Sequence, residues 1–272
     1  MRILCCLNRD LASNVALNLL LPSLTGHDVC VGLTDRVGGV SSATESPERR
    51  ELRFAEQSLP NEVFFPLIER AGLPDNGRRY LTLAEMQRYR GISVAPLLNP
   101  NTPDGLEAVR GFAPDLILAI RYGAILKAPV ISIPRLGVLN LHSGLLPRYR
   151  GVLAVFRALL AGDTEIGCTL HYIADGTIDT GDIIDVARMP VAPAHSLLWH
   201  ILALYPLGIR LIDAALSRLS RGEVLPLTAQ LATAGRYYTY PTVDEWNDLK
   251  RRGWITVSAG DLDEVFRRYV LE

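Results

Sequence analysis

The chain opens with an apolar run, RILCCL (2–7), followed by the polar NRD and then by Leu17, Leu20, Leu21 and Leu24, which share one face of a helix. DVCVGL (28–33) reads as a second strand. Strand, helix, strand is the order that builds parallel sheets, because the crossover lays its helix on a sheet face. From about 35 to 92 the pattern loosens, with charge-rich helical stretches at SPERRELRFAEQSL and TLAEMQRYR and a loop at GLPDNGRR. It resumes at TPDGLEAVRGF, where Thr102 can cap a helix and Pro103 fits its first turn, and at the strand DLILAI (115–120). VISIPRLGVL (130–139) reads as a buried strand leading to Asn140. Val152, Val155, Phe156, Leu159 and Leu160 then recur at helical spacing, and GCTLHYI and GDIIDVARMPV read as strands. An apolar helix over about 196–222 is expected to bend near Pro206, and 223–272 reads as a polar tail. The pattern predicts an α/β fold with a doubly wound, mainly parallel sheet: a main domain over 1–195, and a C-terminal helix and tail over 196–272 packed on it.

Composition narrows the partners. With 272 residues, 49% hydrophobic and 21% charged, the chain can bury a large core and is neither disordered nor a coiled coil. A formal net charge of −1 gives no global pull toward nucleic acid or anionic membrane, so neither is expected as a partner. Cys5, Cys6, Cys30 and Cys168 lie in apolar runs without a C-x-x-C pair and read as buried free thiols, not metal ligands or disulfides. The N-terminal run is too short for a signal-peptide core, and no window is read as approaching a membrane span. A cytoplasmic protein in a reducing compartment is expected. The apolar helix from 196 can bury itself in the same chain or in a second copy, which leaves a homodimer open.

The turn after the first strand, NRDLASN, has no glycine, so its backbone cannot approach a pyrophosphate as a dinucleotide fingerprint does. There is no Walker loop and no G-x-S-x-G elbow. The chemistry concentrates instead in NLHSGLLPRYRG (140–151). Alternation along a strand points Asn140 and His142 to one side and Leu141 to the other. In an open parallel sheet the carboxyl ends of strands are where ligands bind. An amide donor and a titratable base on one side of such an end form a plausible catalytic pair, though Asn and His also end strands as ordinary turn formers. A second cluster, ADGTIDTGDII, sets Asp175, Asp179 and Asp182 around Gly176 and Gly181. His171 reads equally as a packed strand histidine or an auxiliary polar group, and His27, His195 and His200 as surface or helix-end residues. Arg148 and Arg150 can meet a phosphate or carboxylate or stay solvated, and Tyr237, Tyr238 and Tyr240 can stack on a ligand or pack the tail.

Together NLHSGLLPRYRG, EIGCTLHYI and GTIDTGDII resemble the folate-dependent formyltransferases, which include methionyl-tRNA formyltransferase, glycinamide ribonucleotide transformylase and the sugar N-formyltransferases. The resemblance is good from about 105 to 195 and weak before it. It implies a Rossmann-like formyltransferase core with 10-formyltetrahydrofolate as cosubstrate and no metal, and it maps the family's catalytic Asn, His and Asp onto Asn140, His142 and Asp179. APDLILAIRYGAILKAP resembles the folate-lining loop, placing Tyr122, Ala124, Ile125 and Leu126 near the pteridine, with Gly144, Leu145 and Asp175 as further folate-binding positions. HSG stands where the family has HPS or HGS. The implied activity is formyl transfer to a small-molecule amine, such as an amino-sugar nucleotide or a hydroxyornithine-type metabolite. The alternatives are formyltetrahydrofolate deformylase, methionyl-tRNA formyltransferase and a non-catalytic binding protein. Methionyl-tRNA formyltransferase carries a C-terminal barrel domain that 196–272 is too short to form, and the deformylase an N-terminal regulatory domain with no counterpart here.

Overall fold

In the computed structural model, which describes residues 1–35, 45–231 and 233–271, the opening apolar run is β1 (Arg2–Asn8). Asp10 caps α1 (Leu11–Leu20) by accepting the Ser13 N–H, and β2 (Asp28–Thr34) runs parallel to β1. Residues 36–44 of the segment expected to be irregular lie outside the described residues. The rest of that segment forms α2 (Pro47–Arg53), an 11-residue π-helix (Phe54–Phe64), α3 (Phe65–Ala71) and α4 (Leu83–Arg90). It ends in β3 (Ser93–Pro96), a strand too short and too exposed to show in the hydrophobic pattern.

Thr102 accepts the Gly105 N–H to cap α5 (Pro103–Phe112), which leads into β4 (Leu116–Ile120). The run VISIPRLGVL is not one strand: its start lies in α6 (Ala128–Ile131), Pro134 and Gly137 turn the chain, and only Val138–His142 form β5. After β6 (Tyr149–Gly151) and α7 (Ala154–Ala161) come β7 (Glu165–Tyr172) and β8 (Ile183–Pro190). The apolar helix breaks at Leu204 into α8 (Leu197–Ala203) and α9 (Tyr205–Ser220), with Pro206 tolerated in the first turn of the second. The C-terminal region is more than a polar tail. It contains β9 (Arg236–Tyr238), α10 (Val243–Arg251) and α11 (Ala259–Val270), and it buries Trp246, Leu249 and Tyr269 on single apolar faces that a mean composition hides.

Among the described residues the main sheet runs β3-β2-β1-β4-β5-β7-β8, with the first five strands parallel and the last two antiparallel. This is the doubly wound, mainly parallel sheet that the alternation of elements predicts. The central strands are apolar throughout because both their faces are covered. Ile3, Cys5 and Leu7 join one core with α1, α7, α8 and α9, and Leu4 and Cys6 join the other with Val109 and Val130. The strand order reverses between β1 and β4, and that switch point with the carboxyl ends beside it is where such sheets bind ligands.

Leu197–Ser220 is long and apolar enough to cross a membrane by length and composition alone, which corrects the reading that no window approaches a span. The two helices cover the core instead, with Leu197, Leu198, Ile209 and Ile212 all buried against it. His200 is fully buried in the last turn of α8: its Nε2 accepts the Ala192 N–H at 3.0 Å and its Nδ1 donates to the Ser196 carbonyl at 2.7 Å, so it is a helix-end residue and not a surface one.

Candidate active site

β5 lies between the parallel β4 and the antiparallel β7, in a register that sets Asn140 opposite His171. The Asn140 Nδ2 amide is 3.0 Å from His171 Nε2 and donates to Asp179 Oδ1 at 3.4 Å. His142, almost fully buried, directs Nε2 at the Tyr149 carbonyl (2.7 Å) and Nδ1 at Asp179 Oδ2 (3.4 Å). A carbonyl only accepts, so Nε2 carries a proton and Nδ1 is the nitrogen that meets the carboxylate. In the same way His171 Nδ1 donates to the Tyr172 carbonyl at 2.8 Å, and its Nε2 faces both the Asn140 amide nitrogen and, at 3.5 Å, Asp179 Oδ1.

Asp179 stands in the loop between β7 and β8 with φ at 56°, a left-handed backbone that Asp tolerates better than most residues. Its Oδ2 also accepts the Gly151 N–H at 2.8 Å. Burial alone pushes this carboxyl up. His142, the hydrogen bond and charge of His171, and the Gly151 N–H outweigh that and hold it down at about 2. Two imidazoles, an amide and an ionised carboxylate thus converge at one strand end. The three residues matched to the family's catalytic set are brought together, and His171 joins them although sequence reasoning left it undecided. The signal was its place in TLHYI, antiparallel to β5, which only the register makes legible.

The turn after His142 is closely fitted. A side chain at Gly144 would place its Cβ 2.4 Å from Ala154 Cβ and 2.7 Å from His142 Nε2, so only glycine lets the turn pass the imidazole. Thr169 Oγ1 donates to the Gly144 carbonyl at 2.7 Å and receives the Leu146 N–H at 3.1 Å. Leu145 is half-buried, its side chain directed toward Gly167, and does not reach the four polar groups. The loop after β4 presents Tyr122, whose hydroxyl donates to the Leu97 carbonyl, Ala124, and Ile125, which is half-exposed. The Leu126 side chain is in the core, so that residue faces a ligand only through its backbone. Asp175 is exposed and turned back on its own loop, accepting from the Thr177 N–H and hydroxyl, apart from the cluster around Asp179.

The formyl transferase family model matches residues 96–198, which span β5, the turn, β7 and the Asp179 loop. Over these residues the chain is similar to the formyl transferase family. Methionyl-tRNA formyltransferase from Burkholderia vietnamiensis is 41% identical over 134 residues, which cover 49% of this chain and 41% of that protein. The same enzyme from Aromatoleum aromaticum is 39% identical over 137 residues, covering 49% and 43%. The chain therefore spans about two fifths of the length of these curated relatives. Among solved structures, a Helicobacter canadensis N-formyltransferase in complex with folinic acid and dTDP-3-aminofucose matches 100% of this chain and 81% of its own, at TM-score 0.54 and 18% identity. Glycinamide ribonucleotide transformylase 1 from Symbiobacterium toebii matches 85% and 94%, at 0.54 and 18%. At such identities the structures show a shared Rossmann-like fold.

A second polar cluster borders the matched core at the switch point, and no local pattern in the sequence singles it out. Arg121, the residue after β4, has φ at 56° and lies between Asp10 (3.1 Å) and Glu56 (2.9 Å). Asp10 also accepts from the Asn8 amide and the Ser13 N–H. Glu56 comes from the π-helix. Burial pushes its carboxyl up to about 7, with Arg121 opposing and Asp10 reinforcing the rise. Burial also pushes the Cys5 and Cys168 thiols up to about 12, so neither supplies a thiolate nucleophile at neutral pH.

Proposed function

We propose that the protein transfers a formyl group from 10-formyltetrahydrofolate to the amine of an acceptor, with Asn140, His142 and Asp179 as the catalytic residues. The observation that carries this reading is the convergence of the Asn140 amide, the His142 imidazole and the ionised Asp179 at the end of β5. The donor set suits the chemistry. The folate supplies an activated formyl group, whose carbonyl oxygen gains negative charge as the amine attacks. Asn140 offers N–H donors for that charge; removing one such donor from acyl-transfer sites typically costs about 3–4 kcal/mol. The incoming amine must also lose a proton. Asp179, ionised across the neutral range, keeps His142 oriented through Nδ1 and can accept that proton directly or through a water. For the folate, whose pteridine needs an apolar slot with backbone hydrogen-bonding groups, we propose Tyr122, Ala124, Ile125, Gly144, Leu145, the backbone of Leu126 and Asp175 as the binding positions, as the resemblance implies.

For the acceptor we favour a small-molecule amine such as an amino-sugar nucleotide or a hydroxyornithine-type metabolite. A net charge of −1 supplies little of the phosphate attraction that binding tRNA demands. The identity to methionyl-tRNA formyltransferases over 134 residues favours a second reading, methionyl-tRNA as acceptor. The test follows tetrahydrofolate release from 10-formyltetrahydrofolate with a panel of nucleotide-linked amino sugars, hydroxyornithine and charged initiator tRNA. Release that depends on one of the small amines supports the favoured reading, and release that depends only on charged tRNA supports the second. Equal release with and without acceptor would make the protein a hydrolase and sink both.

A further inference from the structure

The residues that complete the site do not all lie in the matched core. The chain after α9 returns to it in two places. Thr228 exchanges both backbone hydrogen bonds with Ile183 at the start of β8 (2.8 and 2.9 Å). Two residues on, the Gln230 amide nitrogen donates to the main-chain carbonyls of Gly181 (2.5 Å) and Asp179 (3.3 Å). β9 then pairs in parallel with β6, matching Gly151 to Tyr238, and the Val152 N–H donates to the Tyr238 carbonyl at 3.0 Å. β6 is the segment whose Tyr149 carbonyl holds His142 Nε2 and whose Gly151 N–H holds Asp179 Oδ2. One stretch of chain therefore ties down both backbone supports of the polar cluster.

Within that stretch Gln230 is the side chain with a direct hold on the carboxylate's own residue. Asp179 lies in an Asp- and Gly-rich loop with a left-handed backbone that costs about 1–2 kcal/mol in a residue other than glycine. Such a loop does not keep one geometry by local preference alone. A Gln amide can bridge two carbonyls because its nitrogen carries two hydrogens and neither carbonyl can donate in return. The buried Gln230 Oε1 has no hydrogen-bond partner among the described residues, so the amide is oriented by what its nitrogen holds. A Cβ on Gly181 would lie 1.8 Å from the Tyr172 carbonyl, so the loop also presses closely on the end of β7.

We propose that Gln230 is a positioning residue for formyl transfer, holding the Asp179–Gly181 backbone so that the carboxylate meets His142 and Asn140 together. This deepens the proposed function and rests on it. Gln230 lies outside residues 96–198 and touches no reacting atom.

The test compares wild type, Gln230→Met and Gln230→Ala. Met keeps the shape of the side chain and removes its two donors, so a residue that merely fills space is rescued by Met while a positioning residue is not. Two readouts are taken. In steady-state kinetics with the acceptor found for the wild type, both variants are expected to lose kcat by roughly 10- to 100-fold, with KM for folate and acceptor within about twofold. In amide hydrogen exchange, both are expected to exchange at least about tenfold faster in the 174–183 segment, with β4 unchanged. A Met variant with wild-type kcat and exchange, or a variant that raises KM and leaves kcat alone, overturns the proposal. A wild-type protein without turnover defeats the proposed function instead, and the exchange readout still decides whether Gln230 holds the loop.

Discussion

Asp179 combines three properties that seldom coincide: a left-handed backbone, near-complete burial and a carboxyl held at about 2. Because its pKa is lowered on folding, Asp179 contributes stability that is fully present above the ordinary carboxylate range near 4 and is lost as pH falls through about 2. It is ionised throughout any plausible activity range, so the acidic limb of the kcat profile belongs to another group. Asp179→Asn is expected to lower kcat roughly 10²- to 10³-fold while an acidic limb persists, as measured by steady-state kinetics between about pH 5 and 9. A limb that disappears in the variant would contradict the assignment. Gly144→Ala tests the fit around the imidazole. Its Cβ would overlap Ala154 and His142, and overpacking of this kind costs about 1–3 kcal/mol. Thermal melts should show that loss of stability, and kcat should fall further than the melts account for if, as proposed, the displaced His142 is catalytic.

At the scale of elements, the strands and most helices were legible because their periodicity is enforced by burial. β1, β4 and β5 lie under helices on both faces, and α5 announces itself through Thr102 and Pro103. Asn140 and His142 were legible for the same reason, since strand alternation alone puts them on one side. His171 was not, because its role depends on an antiparallel register that no local pattern encodes. Glu56 and Arg121 were equally hidden: they are 65 residues apart and look like ordinary charges until the π-helix brings one under the end of β4. That pairing makes a separate prediction. Glu56 faces Arg121 and Asp10, with the Tyr205 and Tyr240 hydroxyls nearby, and its carboxyl is raised to about 7. A raised carboxyl binds its proton more tightly in the folded state, so this group favours folding at low pH. That advantage is lost as pH rises from its ordinary 4.5 through 7. Glu56→Gln should flatten the decline across this window in urea unfolding at stepped pH. An unchanged slope would show that Glu56 is already ionised in the folded protein.

Over the whole molecule, the C-terminal region is integral to the fold. α11 lays Phe266 and Tyr269 against Phe64, with ring centroids 4.0 and 5.5 Å apart, and the Tyr269 hydroxyl donates to Asn14 Oδ1 at 2.6 Å. α10 buries Trp246 against Phe156 of α7, ring centroids 4.5 Å apart. Trp246→Ala is expected to destabilise by about 3–5 kcal/mol in chemical denaturation, which a merely appended tail would not do. The same region carries Gln230 and β9 to the Asp179 loop and to β6. In the proposed reaction the Asn140, His142 and Asp179 cluster moves a formyl group onto nitrogen. The most direct test is mass spectrometry of acceptor and formate after reaction with 10-formyltetrahydrofolate carrying ¹³C in the formyl group, for wild type and for Asn140→Ala and His142→Ala. Label is expected on the acceptor amine with wild type, with a loss of roughly 10²-fold or more in either variant. Label found only in formate, or transfer undiminished in both variants, would contradict it.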